Sequence, residues 1–120
     1  MRNVIILGST GSIGVQALEV VAANPDKFTV VAISAGSGNL PLLFEQAAKF
    51  NVPVVGTTAD KSAVSGFTTK ARVISGAEAS SEIAAMKCDV VINGITGSIG
   101  LGPTLAALAA GNTLALANKE

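Results

Sequence analysis

The chain has 120 residues, the size of one ordinary domain, and its eight basic and eight acidic side chains cancel. These charges are scattered and aromatic residues make up only 3 %, which excludes the basic stripe and stacking rings typical of nucleic-acid-binding proteins. Apolar residues make up 49 %, and because Trp and Tyr are absent, the expected core is aliphatic.

Short apolar runs alternate with segments of helical periodicity, which is the βαβα pattern of a parallel sheet. In chain order, the pattern predicts a strand at 3–7, a helix at 12–23, a strand at 29–34, a helix at 40–50, a strand at 52–56, a short helix at 61–66, a strand at 72–75, a helix at 79–86, a strand at 89–93, a helix at 103–110 and a strand at 113–116. Asn39 and Asp60 are expected to cap the second and third helices. With no linker between these elements, the expected fold is a single α/β domain with a Rossmann-like, doubly wound parallel sheet.

A seven-residue glycine motif occurs twice. Gly8-Ser-Thr-Gly-Ser-Ile-Gly14 recurs as Gly94-Ile-Thr-Gly-Ser-Ile-Gly100, and each copy follows an apolar run and precedes a helix-like segment. Glycine lets backbone N–H groups approach a phosphate closely, and the helix that follows adds its N-terminal amides and dipole. We therefore expect one crevice that is lined from both sides, rather than two separate sites.

The first copy has the spacing G-x-x-G-x-x-G, and its position between strand and helix favours a phosphate-binding turn. Gly8 is expected to make the turn, Gly11 to let the backbone meet a pyrophosphate, and Gly14 to let the helix pack tightly. The predicted cofactor-binding residues of this turn are Gly8, Thr10, Gly11, Ser12, Ile13 and Gly14. The alternative is a purely structural glycine-rich turn.

The loop after the second strand contains Gly36, Ser37 and Asn39 and no Asp or Glu. An NAD site normally places a carboxylate here for the adenosine ribose, and a 2′-phosphate would be repelled by it. The absence of that carboxylate favours NADP, and these three residues are predicted cofactor contacts. The alternative is a polar surface loop in which Asn39 caps the second helix.

In the second copy, Gly94, Ile95 and Gly97 are expected to form the other wall of the crevice, near the nicotinamide. The alternative is close packing of glycine against the neighbouring strand. Lys119 follows the last strand and is expected at the crevice edge, where it is either functional or a solvated lysine. The remaining carboxylates lack metal-ligand or acid/base spacing, so no metal site and no catalytic pair are predicted among them.

The sequence also argues against export and membrane insertion. The apolar run before Gly8 is too short for a signal peptide, and Gly102, Pro103 and Gly111 interrupt the apolar C-terminal stretch. Cys88 is the only cysteine, so no internal disulfide is possible and a reducing, cytoplasmic location is expected. Because the chain has no His to activate it, Cys88 is expected to be an inert buried thiol.

Three motifs together resemble one enzyme family. Ile6-Leu-Gly-Ser-Thr-Gly-Ser-Ile-Gly14, Leu101-Gly-Pro-Thr-Leu-Ala-Ala-Leu108 and Leu114-Ala-Leu-Ala-Asn-Lys-Glu120 occur in the order seen in the 1-deoxy-D-xylulose-5-phosphate reductoisomerases. The resemblance covers the whole chain, and the terminal Ala-Asn-Lys-Glu is more distinctive than the glycine-rich turn. Because family members are much longer, the resemblance implies a fragment, namely the N-terminal NADPH-binding domain at 1–120 without its catalytic domain.

The resemblance implies an NADPH-dependent enzyme of the non-mevalonate isoprenoid pathway, with Mg²⁺ or Mn²⁺ bound by residues beyond 120. It implies that Thr10, Gly11, Ser12 and Ile13 contact the cofactor phosphates, that Gly36, Ser37 and Asn39 lie by the adenosine ribose phosphate, that Asn118 and Glu120 contact the cofactor, and that Lys119 binds the sugar-phosphate substrate. The family often has a Lys in the loop after the second strand, where this chain has Gly36-Ser-Gly-Asn39. A homodimer is implied for the full-length protein, and these residues alone are expected to bind nucleotide without turnover.

Two other interpretations stay open at the level of sequence. One is the cofactor domain of another bipartite NADP-dependent reductase, such as a homoserine or semialdehyde dehydrogenase, against which the terminal Ala-Asn-Lys-Glu argues. The other is a free-standing nucleotide-sensing module, whose output would be a change of partner.

Overall fold

The described part of the chain is an open parallel sheet with helices on both faces. The computed structural model describes residues 2–67, 69–86, 88–94 and 113–116. Its strands are β1 (Arg2–Leu7), β2 (Phe28–Ala35), β3 (Val54–Thr57), β4 (Arg72–Ser75), β5 (Val90–Asn93) and β6 (Thr113–Leu116). Its helices are α1 (Ser12–Ala23), α2 (Leu40–Lys49), α3 (Lys61–Val64) and α4 (Ala79–Ala84), with one 3₁₀ turn at Ser37–Asn39.

The strand order explains the two helical layers. The order within these ranges is β4-β3-β2-β1-β5-β6, and every neighbouring pair is parallel. From β1 to β4 the chain steps outward in one direction, so right-handed crossovers place α1 and α2 on one face. The chain then returns past β1 to β5, and this reversal places α4 on the opposite face. The predicted Rossmann-like, doubly wound parallel sheet is therefore confirmed.

The core consists of one apolar cluster on each face of the sheet. Val4 and Ile6 of β1 pack into the cluster that contains Leu43 of α2. Ile5 and Leu7 point the other way, into the cluster of α4. These four side chains of β1 are all buried, as expected for a parallel strand covered on both faces.

A β-bulge interrupts the alternation in β2. The register moves from Val4 opposite Val30 to Ile5 opposite Ala32, so Val31 is the extra residue. Val31 and Ala32 consequently both pack on the face of α4, and Ile33 returns to the face of α1 and α2. The bulge keeps the end of β2 level with the end of β1.

Some predicted boundaries were wrong, and the reasons are local. The third strand was expected at 52–56 but begins at Val54, because the Val52 N–H donates to Ala47 O at 2.9 Å and closes α2. Pro53, which follows, has no N–H to give to the ladder. Asp60 does occupy the N-cap position of α3, but its side chain makes no capping hydrogen bond.

Two helices are two residues shorter than predicted. The third helix was expected to reach residue 66 and ends at Val64, and the fourth was expected to reach residue 86 and ends at Ala84. The helix predicted at 103–110 lies outside the described residues. Among the residues that are described, no helix combines the length and hydropathy needed to cross a membrane.

Leu43 on α2 offers a direct test of the core on the α1 and α2 face. Its side chain is 0 % exposed, so Leu43→Ala leaves a cavity, and we expect a loss of about 3 kcal/mol in the free energy of unfolding. Val20 on α1 is 56 % exposed, and Val20→Ala should change that free energy by less than about 0.5 kcal/mol. Urea denaturation followed by circular dichroism measures both, and equal losses would contradict this description of the core.

Candidate functional site

The two glycine motifs begin at the same edge of the sheet. β1 and β5 are neighbours on either side of the point where the strand order reverses, and Leu7 lies opposite Asn93 at their carboxyl ends. The Gly94 N–H donates to Leu7 O at 2.9 Å. In open parallel sheets, ligands bind in the crevice at this position. The structure therefore brings Gly8 and Gly94 together, as the sequence predicted.

A hydrogen-bonded turn connects β1 to α1. Gly8 has φ of +77°, the left-handed region that favours glycine, which confirms its predicted role as the turn residue. The N–H groups of Gly8 and Ser9 both donate to Ser34 O, at 2.7 and 2.9 Å. The Gly11 N–H donates to Gly8 O at 3.1 Å and closes the turn. The turn is thus fixed to the end of β2 before the helix begins.

Gly14 lets α1 lie directly on this turn. A Cβ at Gly14 would be 2.5 Å from Ser9 Cα and 2.7 Å from Ser9 C, and it would also overlap Gly8 O. These neighbours are backbone atoms that cannot rotate away. The predicted role of Gly14 in close helix packing is therefore confirmed.

The amino end of α1 has no cap from a side chain. Its N-cap is Gly11, and its first turn contains no acidic residue. The first amides of the helix, on Ser12, Ile13 and Gly14, have no acceptor within the helix, and the helix dipole makes this end positive. By contrast, Asn39 caps α2, its Oδ1 accepting from Leu42 N at 3.3 Å. The end of α1 is thus open to an anion.

The second motif contributes Gly94 to the same place. A Cβ there would be 3.3 Å from Leu7 O and 3.4 Å from Ile13 Cβ, a tight fit against the first turn. Close packing, the alternative considered for this glycine, is therefore sufficient to explain it. The predicted contacts Ile95, Gly97, Asn118, Lys119 and Glu120 lie outside the described residues.

The loop after β2 contains predicted contacts Gly36, Ser37 and Asn39. Gly36 has extended backbone, and a Cβ there would find only Thr58 Oγ1 at 3.8 Å. Asn39 acts as the cap of α2, so the capping role is confirmed for it. Whether the three also bind a ligand stays a prediction, and the loop presents no carboxylate.

Cys88 lies away from this edge, just before β5. Its side chain is partly buried, and Sγ donates to Val90 O at 3.4 Å. Burial raises the pKa of the Cys88 thiol, and the Asp89 carboxylate raises it further, against the lowering effect of a backbone hydrogen bond with Val90. The thiol is therefore protonated at neutral pH, which agrees with the inert role that the sequence suggested. In the ranges described, no three His, Cys, Asp or Glu side chains lie close enough to hold a metal ion.

The sequence matches a known protein family over nearly its whole length. The sequence model of the family described as 1-deoxy-D-xylulose 5-phosphate reductoisomerase matches residues 4–120. The chain belongs to this family. It is 53 % identical to the 1-deoxy-D-xylulose 5-phosphate reductoisomerase of Paenarthrobacter aurescens over 99 % of this chain and 33 % of that protein. It is also 53 % identical to that of Beutenbergia cavernae, over 99 % of this chain and 32 % of the relative.

Solved structures of the family share the fold. The reductoisomerase from Zymomonas mobilis in complex with NADPH superposes with a TM-score of 0.85 at 36 % identity, over 98 % of this chain and 32 % of that one. A reductoisomerase in complex with NADPH, fosmidomycin and magnesium gives a TM-score of 0.88 at 31 % identity, over 98 % and 30 % of the two chains. The chain thus spans about a third of the length of the relatives it matches. Membership of the reductoisomerase family leaves the other reductase families considered above without support.

Sequence reasoning missed two buried polar contacts in this reductoisomerase-family chain, of which one reaches the turn. Gln46 of α2 is buried and its Nε2 donates to Ser9 O at 2.9 Å. On the α4 face of the sheet, away from the turn, the Ser34 and Ser80 hydroxyls share a buried hydrogen bond of 2.9 Å. The available signal was a polar residue at position 46, beside Ala47 on the apolar face of the predicted helix.

Gly14→Ala tests the contact between α1 and the turn. In an open helix position, Ala is more stable than Gly by about 1 kcal/mol, but here we expect a loss of about 2 kcal/mol because the new methyl group meets fixed backbone. Gly66→Ala is the matched control, since a Cβ at Gly66 has nothing within 4 Å. Urea denaturation compares the two variants. A Gly14→Ala protein as stable as the control would contradict the close packing.

Proposed function

We propose that this chain is the NADPH-binding domain of a 1-deoxy-D-xylulose 5-phosphate reductoisomerase. The observation that carries the proposal is the uncapped amino end of α1, which rests on a glycine turn at the reversal point of the sheet. This is the arrangement with which parallel α/β folds bind a dinucleotide pyrophosphate. The family match over residues 4–120 and the resemblance to NADPH complexes support the choice of cofactor.

The proposed reaction of the complete enzyme converts 1-deoxy-D-xylulose 5-phosphate to 2-C-methyl-D-erythritol 4-phosphate in the non-mevalonate isoprenoid pathway. When bound, NADPH supplies the hydride for the reductive step. The Mg²⁺ or Mn²⁺ that polarises the substrate carbonyl would be held by carboxylates in the part of the longer relatives that this chain does not span. Residues 1–120 would by themselves bind cofactor without turnover.

The pyrophosphate contacts are proposed for Thr10, Gly11, Ser12 and Ile13. A Cβ at Gly11 would meet only Gly8 O, at the ordinary distance of 3.5 Å, and its φ of −78° suits any residue. Neither packing nor conformation therefore requires glycine at this position. A phosphate that approaches the Gly11 backbone supplies the reason, and the amides of Ser12 and Ile13 at the helix end would bind its oxygens.

The adenosine 2′-phosphate is proposed to lie against Gly36, Ser37 and Asn39. No carboxylate in this loop would repel it, and no lysine clamps it. The cap of α2 uses Oδ1 of Asn39, which leaves the Nδ2 group as a donor for the phosphate. A Cβ at Gly38 would have nothing within 4 Å, so the loop can bring its backbone close to the ligand.

The remaining assignments complete the proposed site. Gly94 and Ile95 would flank the nicotinamide, and Asn118 and Glu120 would contact the cofactor. Lys119 would lie by the substrate, where a cation stabilises developing oxyanion charge. A cytoplasmic homodimer is proposed for the full-length enzyme, and the low cysteine content of these 120 residues is typical of a reducing compartment.

Calorimetry with NADPH and NADH tests the cofactor and the phosphate turn together. The full-length enzyme should prefer NADPH, and Gly11→Val should abolish measurable binding because the new side chain occupies the phosphate position. Valine accepts the backbone of Gly11, whose ψ is 172°, so the variant should fold. Gly66→Val, where the side chain enters open space, is the control and should bind as the wild type does. Equal affinity for both nucleotides would contradict the 2′-phosphate assignment. Unchanged binding by Gly11→Val would contradict the phosphate-binding role of the turn.

Asn39→Asp separates the capping role of Asn39 from a role in binding the 2′-phosphate. Aspartate is as good an N-cap as asparagine, so the free energy of unfolding should stay within about 0.5 kcal/mol of the wild type. Its carboxylate would repel the phosphate, and we expect NADPH affinity to fall by about tenfold or more while NADH affinity is unchanged. Asn39→Ser, which caps without a charge, is the control. An equal loss for both nucleotides would place Asn39 away from the 2′-phosphate.

A further inference from the structure

Gln46 is a buried polar residue whose amide serves the glycine turn. It lies on α2 between helix neighbours that pack into the core, and it is 7 % exposed. Burying an amide is costly unless it forms hydrogen bonds. Its Nε2 donates to Ser9 O at 2.9 Å across 37 positions of sequence, whereas its Oε1 accepts no bond from the residues described. The hydrogen bond of this side chain is therefore the one that its Nε2 group donates.

This hydrogen bond fixes the orientation of one peptide group in the turn. The Ser9 N–H already donates to Ser34 O at 2.9 Å, so the bond from Gln46 secures the other side of the same residue. A trans peptide is planar, and its C=O and N–H point in opposite directions. Because Ser9 O points to α2, the N–H of Thr10 in the same peptide group points away from α2.

We propose that Gln46 is a positioning residue, which holds the Ser9–Thr10 peptide so that the Thr10 N–H is presented to the pyrophosphate. The inference rests on the proposed function of the turn and adds a residue that need not touch the cofactor. Without the donor, Ser9 O is left without its partner in a buried position, and the peptide rotates to find another one. The Thr10 amide then loses its alignment, although Gly8, Gly11 and α1 are unchanged.

The test compares two ligands in the full-length enzyme. NADPH contains the pyrophosphate, whereas adenosine 2′-monophosphate carries the 2′-phosphate without it. Gln46→Met keeps the length of the side chain and removes the donor along with the unpaired Oε1. We expect this variant to bind NADPH about tenfold more weakly, the equivalent of one hydrogen bond, and to bind adenosine 2′-monophosphate as the wild type does.

Two controls separate positioning from general destabilisation. Gln16→Met makes the same chemical change at an exposed site on α1, and Ser80→Ala removes a buried hydrogen bond on the opposite face of the sheet. Both should bind the two ligands as the wild type does. If Gln46→Met does not fold, Gln46→Glu replaces it. An ionised carboxylate cannot donate to Ser9 O, whereas the protonated acid can, so its deficit in NADPH affinity relative to the wild type should shrink as the pH falls.

The possible outcomes are distinguishable. A wild-type enzyme that fails to bind NADPH overturns the proposed function itself. A wild-type enzyme that binds NADPH, beside a Gln46→Met variant with the same affinity, overturns the positioning role alone. Equal weakening of both ligands, or a deficit in Gln46→Glu that does not change with pH, assigns Gln46 a structural role and also overturns it. Selective loss of NADPH affinity supports the proposal.

Discussion

The contact between α1 and the end of β1 is the constraint on which the candidate site depends. Because the helix backbone at Gly14 lies against the backbone of Gly8 and Ser9, no side chain larger than hydrogen fits between them. This contact sets where the helix begins, and hence where its first amides point. The turn beneath is fixed independently, since Ser34 O accepts hydrogen bonds from both Gly8 and Ser9. A phosphate site needs donors that are already aligned, and here two backbone segments align most of them, while Gln46 is proposed to align the Thr10 amide.

The sheet supplies the second requirement, which is that separate loops meet at one edge. The ends of β1 and β2 are level because Leu7 lies opposite Ser34, and the ends of β1 and β5 are level because Leu7 lies opposite Asn93. The bulge at Val31 is part of this alignment, since it adjusts the register of β2 in the middle of the strand. A slip of one residue would exchange Val4 and Ile6 with Ile5 and Leu7 between the two clusters, and the different packing of these clusters therefore holds the register.

The fold was largely predictable from the sequence, whereas the supporting contacts of the site were not. Alternating apolar runs and helical segments predicted all six strands, and the 12–23 helix has the predicted bounds. The beginning of β3 was missed because Val52 closes α2, a contact that apolar character alone does not reveal. Asp60 occupies the predicted N-cap position of α3 without forming the capping hydrogen bond. Whether a side chain forms that bond depends on its rotamer and its neighbours, which the sequence does not reveal. The Gln46 side chain donates a hydrogen bond to Ser9 O across 37 positions of sequence, and no local sequence pattern predicts such a partner.

The charge distribution at the sheet edge limits what this part of the protein can do. The sequences of the loops after β1 and β2 consist of Gly, Ser, Thr and Asn and contain no acidic or basic residue. Such a surface attracts an anion through the helix dipole and backbone donors. It favours an anion whose oxygens meet these N–H groups, because no side-chain charge in the two loops would pair with an ion bound elsewhere. It is poorly suited to hold a divalent metal, which prefers several carboxylate oxygens. This chain spans about a third of the length of the relatives it matches. This edge is proposed to hold the cofactor phosphates, and the metal-binding carboxylates are accordingly proposed for the part of the relatives that this chain does not span.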